Sequence, residues 1–302
     1  MMRIFDSLLI STIEHLPKWF ARPFAKPYVA GETENDVVKH IKKINNKGMS
    51  ATADILGEHT KSISEAKLIT SQYCDLYKRI HQDSLDCNIS IKPTHLGLDI
   101  SIEEAKKNFI KVATIAKTYS NFLRIDMESS EVTDKTFEIF KSCQQVYSKV
   151  GVVLQAYLHR TLEDVSNLSF DNGFNSRICK GIYKEPPSIA IHDHELIIKN
   201  YLKIAKKMYQ SGAYSGFATH NQGLIDNLLD WISKEKIPKN CFEFQVLYGV
   251  PMEGRLEYLV NKNFKVRVYV PYGKDWFDYS IRRLKENPDI AGYVLRNIFK
   301  KN

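Results

Sequence analysis

Residues 264–273 read FKVRVYVPYG. This is a short β-rich run that closes on the turn residues Pro271 and Gly273. A helical spacing follows almost at once. Tyr279, Arg282, Arg283 and Glu286 stand at i, i+3, i+4 and i+7, so they share one helix face. The same order, strand then helix, recurs upstream. The other runs are SATADILGE (50–58), CNISIKPT (87–94), FLRIDMESS (122–130), VGVVLQAYL (150–158), SRICKGIY (176–183), YSGFATHN (214–221) and FEFQVLYG (242–249). Segments of helical periodicity fill the gaps, as in EEAKKNFIKVATIAKTYSNF (103–122). Strands alternating with helices imply parallel βαβ units. Eight of them in about 250 residues match a (β/α)8, or TIM, barrel of the α/β class. A doubly wound open sheet is the fallback. No Gly-x-Gly-x-x-Gly follows any strand, which weighs against a dinucleotide-binding sheet of that kind.

The chain has 302 residues, 43% of them hydrophobic, enough to bury a large core. Its formal net charge of +8 favours an anionic partner. The basic residues are scattered among 35 acidic ones, so no nucleic-acid tail stands out. Five cysteines without a CxxC pair suit a reduced, cytoplasmic protein with no structural metal site. No apolar run reaches the roughly 18 residues of a membrane span. Residues 1–30 read as an N-terminal helical arm, and 31–302 as the barrel domain. Within the arm Ile4, Phe5, Leu8, Leu9, Ile13 and Leu16 form an apolar stripe, for packing or for a membrane surface.

In such barrels the active site lies at the carboxyl ends of the strands. Those ends supply Glu58, Lys92, Asp126, Gln155, Arg177 with Lys180, Thr219 with His220, Gln245, and Tyr269. Polar groups at eight ends that project to one rim build a mouth for an anionic ligand. Arg282 and Arg283 start from the same mouth, and adjacent guanidinium groups suit a carboxylate or phosphate.

The motifs DILGE (54–58), SIKPTHLG (90–97), RIDME (124–128), LQAYLHRT (154–161), RICKGIYKEP (177–186), ATHN (218–221), FEFQVLYGV (242–250) and VRVYVPYG…DW…Y…RRLKE (266–286) occur in order, one per expected strand. Together they resemble the monofunctional proline dehydrogenases of bacterial proline catabolism, from about residue 28 to 288. That resemblance implies a distorted barrel whose last helix sits over the strand mouths. It also implies FAD as cofactor and oxidation of L-proline to Δ1-pyrroline-5-carboxylate, with hydride passing from proline C5 to flavin N5. Electrons go on to a membrane quinone, and a pyrroline-5-carboxylate dehydrogenase acts downstream. A peripheral contact with the inner membrane follows from the quinone, and no nucleic-acid partner is expected.

By the same resemblance Arg282, Arg283 and Lys92 hold the substrate carboxylate, and Asp126 balances their charge. Tyr269, Tyr279 and Leu247 wall the pyrrolidine ring, and Glu58 pairs with Arg282 at the entrance. Gln155 and Arg177 contact the isoalloxazine, with Asp126 beside both cofactor and substrate. Lys180, Gly181, Thr219, His220, Asn221, Gln245 and Glu286 are further cofactor or helix-positioning residues. The chain departs from the family at Cys179 and Ile182, where Val and Ala are usual, which puts the pocket size in question. Retention of Tyr269 favours proline over hydroxyproline. The competing enzyme reading is an aldolase-type lyase with a Schiff base on Lys180 or Lys92.

Overall fold

The structure is a computed structural model that describes residues 22, 27–168 and 174–286. Most of the N-terminal arm, with its apolar stripe, lies outside these residues. Each of the eight runs forms a strand. They are β1 (Ser50–Ile55), β2 (Cys87–Ile91), β3 (Leu123–Ile125), β4 (Val150–Gln155), β5 (Asn175–Cys179), β6 (Tyr214–Ala218), β7 (Phe242–Leu247) and β8 (Val266–Tyr272). All neighbours pair in parallel, and β1 closes on β8 from Ser50 opposite Arg267 to Ile55 opposite Tyr272. The ladders stop short of the runs read from sequence. Glu58, Lys92, Asp126 and Lys180 therefore sit in the loops just beyond the strand ends.

Among the described residues nine helices surround or cap the barrel. They are α1 (Glu34–Asn45), α2 (Ile63–Gln82), α3 (Ile102–Thr118), α4 (Thr133–Val146), α5 (Thr161–Leu168), α6 (His194–Gln210), α7 (Gln222–Lys234), α8 (Arg255–Asn261) and α9 (Trp276–Glu286). Side chains start several of them. The Ser62, Ser101, Asp193 and Asn221 side chains each accept a backbone N–H of the first turn, and Thr33 with Asp36 forms a full capping box. Each such cap contributes about 1 kcal/mol.

Two features depart from a regular barrel. First, α1 packs against β8 and β1, where the helix after the eighth strand would ordinarily lie. It buries Val37, Val38, Ile41 and Ile44 there. Second, α9 is thereby released to cross the strand mouths. Its Arg282 reaches Glu58 after β1, while Arg283 acts electrostatically on His220 after β6.

Strands β2, β3 and β4 are buried throughout, whereas β5 and the start of β8 bury one face and leave the other partly open. On β5, Ser176 and Ile178 are buried, whereas Arg177 and Cys179 are half-buried; β8 alternates likewise around Arg267 and Tyr269. The apolar core is thus the layer between sheet and helices. The lumen is lined by polar side chains, among them Thr52, Asp54, Ser90, Gln155 and Gln245.

Candidate active site

Asp126 is the hub of the mouth. It follows β3, and its backbone N–H donates to Ile91 O at 2.8 Å, which fixes its position against β2. Its Oδ1 accepts from Ser90 Oγ at 2.5 Å and from the Arg177 guanidinium, and its Oδ2 accepts from the Tyr269 hydroxyl at 2.9 Å. Burial alone would raise this carboxyl. Arg177, Lys92 and the two hydroxyl donors outweigh burial and hold its pKa below the usual value. Arg177 also stacks over the Tyr269 ring at 5.2 Å.

Lys92 sits beside this hub. Its Nζ lies 3.2 Å from Asp54 Oδ2 and 4.0 Å from Glu58 Oε1. Burial works against its charge, but Asp54, Glu58, Asp126 and Glu128 together raise its pKa above the ordinary lysine value. A lysine held charged in this way is the opposite of the desolvated, deprotonated amine that a Schiff base needs. Burial does lower Lys180, the other candidate of that reading, whose Nζ lies 3.2 Å from His194 Nε2 toward the rim.

Helix α9 completes the mouth from above. Arg282 is partly exposed and its Nη2 donates to Glu58 Oε1 at 3.2 Å. Arg283 is buried and its guanidinium lies 5.4 Å from the centre of the Tyr279 ring, which is also buried. Leu247 ends β7 opposite Tyr269 of β8, so both face the lumen. The Glu286 side chain lies outside the described residues.

The residues expected to hold a cofactor fall along the ends of β4 to β7. Gln155 donates through Nε2 to Glu128 O at 2.7 Å, which fixes its amide orientation. Its Oε1 is then a buried acceptor with no protein partner among the described residues. Such an orphan fits an N–H donor from a bound heterocycle. Gly181 has φ +110, and a Cβ there would collide with the Tyr157 ring, so this loop after β5 requires glycine. Thr219 Oγ accepts from Asn221 N–H at 3.1 Å, and Asn221 caps α7 through Leu224 N–H at 2.8 Å. His220 Nε2 accepts from Leu247 N–H at 2.9 Å. Burial, then Arg283 and Lys180, lower its pKa to about 4, so the ring is neutral near pH 7. The Gln245 amide turns down the lumen to Glu243 at 2.6 Å, away from the other residues of this group. Cys179 is half-buried opposite Gln155, and burial raises its thiol to about 11. Ile182 is 53% exposed at the rim.

Several members of the site were not singled out from the sequence. Asp54 is buried at the inward face of β1, bonded to Lys92, with the Tyr73 hydroxyl 3.3 Å from its Oδ1. Glu128 accepts from both N–H and Oγ of Thr94, at 2.9 and 2.6 Å. Ser90 supports Asp126. A period of two was the available signal, because Asp54 follows Thr52, Ser90 precedes Lys92, and Glu128 follows Asp126 by two residues.

The profile of the family described as proline dehydrogenase matches residues 37–296. The chain belongs to the proline dehydrogenase family. It is 37% identical over 277 residues to proline dehydrogenase 1 of Bacillus subtilis subsp. natto, covering 92% of this chain and 91% of that one. It is 30% identical over 297 residues to the proline dehydrogenase of Deinococcus radiodurans, with 95% and 94% covered. Among solved structures it is similar to proline utilization A from Bdellovibrio bacteriovorus inactivated by N-propargylglycine, at 27% identity and a TM-score of 0.81. That match covers 88% of this chain and 33% of the other, so the chain spans about a third of that larger protein. As a proline dehydrogenase the protein is an oxidoreductase.

Proposed function

We propose that this proline dehydrogenase is a flavoenzyme that oxidises L-proline to Δ1-pyrroline-5-carboxylate at the barrel mouth. The observation that carries the reading is the convergence of Lys92, Asp126, Arg177 and Tyr269 beneath a helix that brings Arg282 and Arg283 over them. Arg282, Arg283 and Lys92 take the substrate carboxylate in charge-assisted hydrogen bonds. Asp126 keeps the added cationic charge balanced and holds the Tyr269 hydroxyl in place. Tyr269, Tyr279 and Leu247 wall the pyrrolidine ring, exclude water and fix its approach. Glu58, paired with Arg282, gates entry, since opening the mouth requires parting that pair.

Gln155, Arg177, Lys180, Gly181, Thr219, His220 and Asn221 would hold FAD, with Gln245 and Glu286 as supporting residues. The buried, unpartnered Gln155 Oε1 and the Arg177 cation fit such a group. FAD, when bound, supplies the acceptor for the hydride that leaves proline C5. The electrons are then assigned to a membrane quinone, and a pyrroline-5-carboxylate dehydrogenase takes the product. Among the described residues no helix is long and apolar enough to cross a membrane. Contact with the inner membrane is assigned to the N-terminal arm, residues 1–30, on the strength of its apolar stripe. Full-length protein should sediment with anionic vesicles, and protein starting near Tyr28 should bind less; equal binding removes the arm from that role.

The deciding experiment is a visible spectrum of the purified protein without oxygen, before and after L-proline. A flavin band that bleaches supports the cofactor, the substrate and the direction of hydride flow together. A band unmoved by proline reopens the substrate. A colourless protein that FAD cannot reconstitute sinks the flavin reading.

A further inference from the structure

The opposite end of the barrel carries charge that the proposed reaction does not use. A cavity of about 280 Å³ opens there, lined by the residues that begin the strands: Asn88, Arg124, Asn175, Tyr214 and Lys265, with the Arg267–Glu243 pair. It is just below the roughly 300–1,000 Å³ of sites for drug-sized ligands, so it suits something small.

Arg124 is 3% exposed. Its guanidinium donates to Val152 O at 2.8 Å, Asn175 O at 3.0 Å and Asn175 Oδ1 at 2.5 Å, and lies 4.8 Å from the centre of the Phe122 ring. All of these partners are neutral. Among the described residues no carboxylate lies within ion-pair distance of it, whereas Arg177 pairs with Asp126 and Arg267 with Glu243. A buried guanidinium ordinarily has an anionic partner. Burial first, then the neighbouring Arg177 and Arg267, push the Arg124 pKa down to about 9, and Glu243 and Asp126 offset only part of that.

Asn88, Asn175 and Lys265 add further donors to the cavity. The Thr52 hydroxyl donates to Asn88 Oδ1 at 2.5 Å, and Arg124 occupies Asn175 Oδ1, so both amide nitrogens are left facing outward from these bonds. Neither Nδ2 has a protein acceptor among the described residues. Lys265 is exposed, with Nζ 6.0 Å from the centre of the Tyr214 ring. The local acid is already engaged: Glu243 accepts from Arg267 at 2.7 Å, Gln245 at 2.6 Å and the Tyr214 hydroxyl at 3.3 Å. Asp86 also lines the cavity and accepts from Ser50 Oγ at 2.6 Å.

We propose that the N-terminal face of the barrel is a second binding site, for a small oxyanion such as phosphate or a carboxylate, seated between Arg124, Asn88, Asn175 and Lys265. The oxygens of such an ion accept from the two open amides and from Lys265, and its charge completes the pairing of Arg124. The site is at the opposite end of the strands from the mouth.

The test is the Tm of purified full-length protein titrated with inorganic phosphate and, in parallel, with acetate, at constant ionic strength set by chloride. Wild type should show a saturable rise of roughly 3 °C or more with at least one of the two. Asn175→Asp places a carboxylate on Arg124, so that variant should be no less stable without added anion and should lose the rise. Lys265→Ala, an exposed change, should raise the half-saturating concentration severalfold. Arg282→Met alters the mouth alone and should keep the rise. No saturable rise beyond that of chloride, or an equal rise in Asn175→Asp, overturns the site.

Discussion

Arg282 and Arg283 are adjacent in sequence and differ in surroundings. The Arg282 side chain is 45% exposed and held by Glu58, whereas Arg283 is buried against Tyr279. Losing one charge-assisted contact to a carboxylate costs about 1.5–3 kcal/mol. Arg282→Met should therefore raise the proline KM by about tenfold to a hundredfold, and the exposed Lys285→Met should not. Similar Michaelis constants for the two variants would remove the clamp. A second residue, His95, gives a pH signature. Its Nδ1 lies 3.4 Å from the Tyr73 hydroxyl, and burial, then Lys92, lower its pKa to about 3. The folded state thus holds the neutral ring, while the unfolded chain takes up a proton near pH 6.5. Its contribution is complete above that pH and is lost as the pH falls from 6.5 toward 3. Between pH 7 and 5 the loss is about 2 kcal/mol. Urea midpoints should fall more steeply over this interval for wild type than for His95→Asn, and parallel curves would discard the assignment. At this scale the charged residues of the mouth were legible as strand-end types. Asp54, Ser90 and Glu128 were not, because single polar residues inside or beside apolar strands have no local mark of which neighbour they meet.

At the scale of elements, the exchange of helices decides the site. Helix α1 fills the seam between β8 and β1, and α9 is free to lie over the mouth. Ile41 is fully buried in that seam. Ile41→Ala should cost about 2–5 kcal/mol, read as a lower denaturant midpoint at unchanged slope; a loss under 1 kcal/mol would mean that the seam is loosely packed. The loop after β5 is the other critical element. Gly181→Ala forces a side chain into the left-handed region and against Tyr157, costing at least ~1–3 kcal/mol of strain. Its expected outcome is a lower Tm together with weaker retention of the flavin on gel filtration, and full retention would detach this glycine from the cofactor. The periodicity of α1 and α9 was readable. That α1 takes the seam follows only from the closed sheet. The strand ends were overread by one to five residues, since polar and turn residues continue the alternation after the ladder has stopped.

For the whole molecule, the balance of charge matters more than its sum. The net charge is +8, yet the mouth sets Asp54, Glu58, Asp126 and Glu128 against Lys92, Arg177, Arg282 and Arg283. The proposed substrate is a zwitterion, so long-range steering is weak. The proline KM should change by less than about threefold between 50 and 500 mM salt. A tenfold change would show instead a cationic funnel.

Strand number, parallel order and the placing of polar groups at one end were determined by the sequence alone, because they depend on patterns with periods of 2 and 3.6 residues. What met what was decided by the tertiary structure. Closing β1 on β8 joins residues more than 200 positions apart and brings Glu58 to Arg282. It also turns inward residues from every strand into one polar lumen with an end above and an end below. Local patterns encode which way a side chain faces, and only closure encodes its partner.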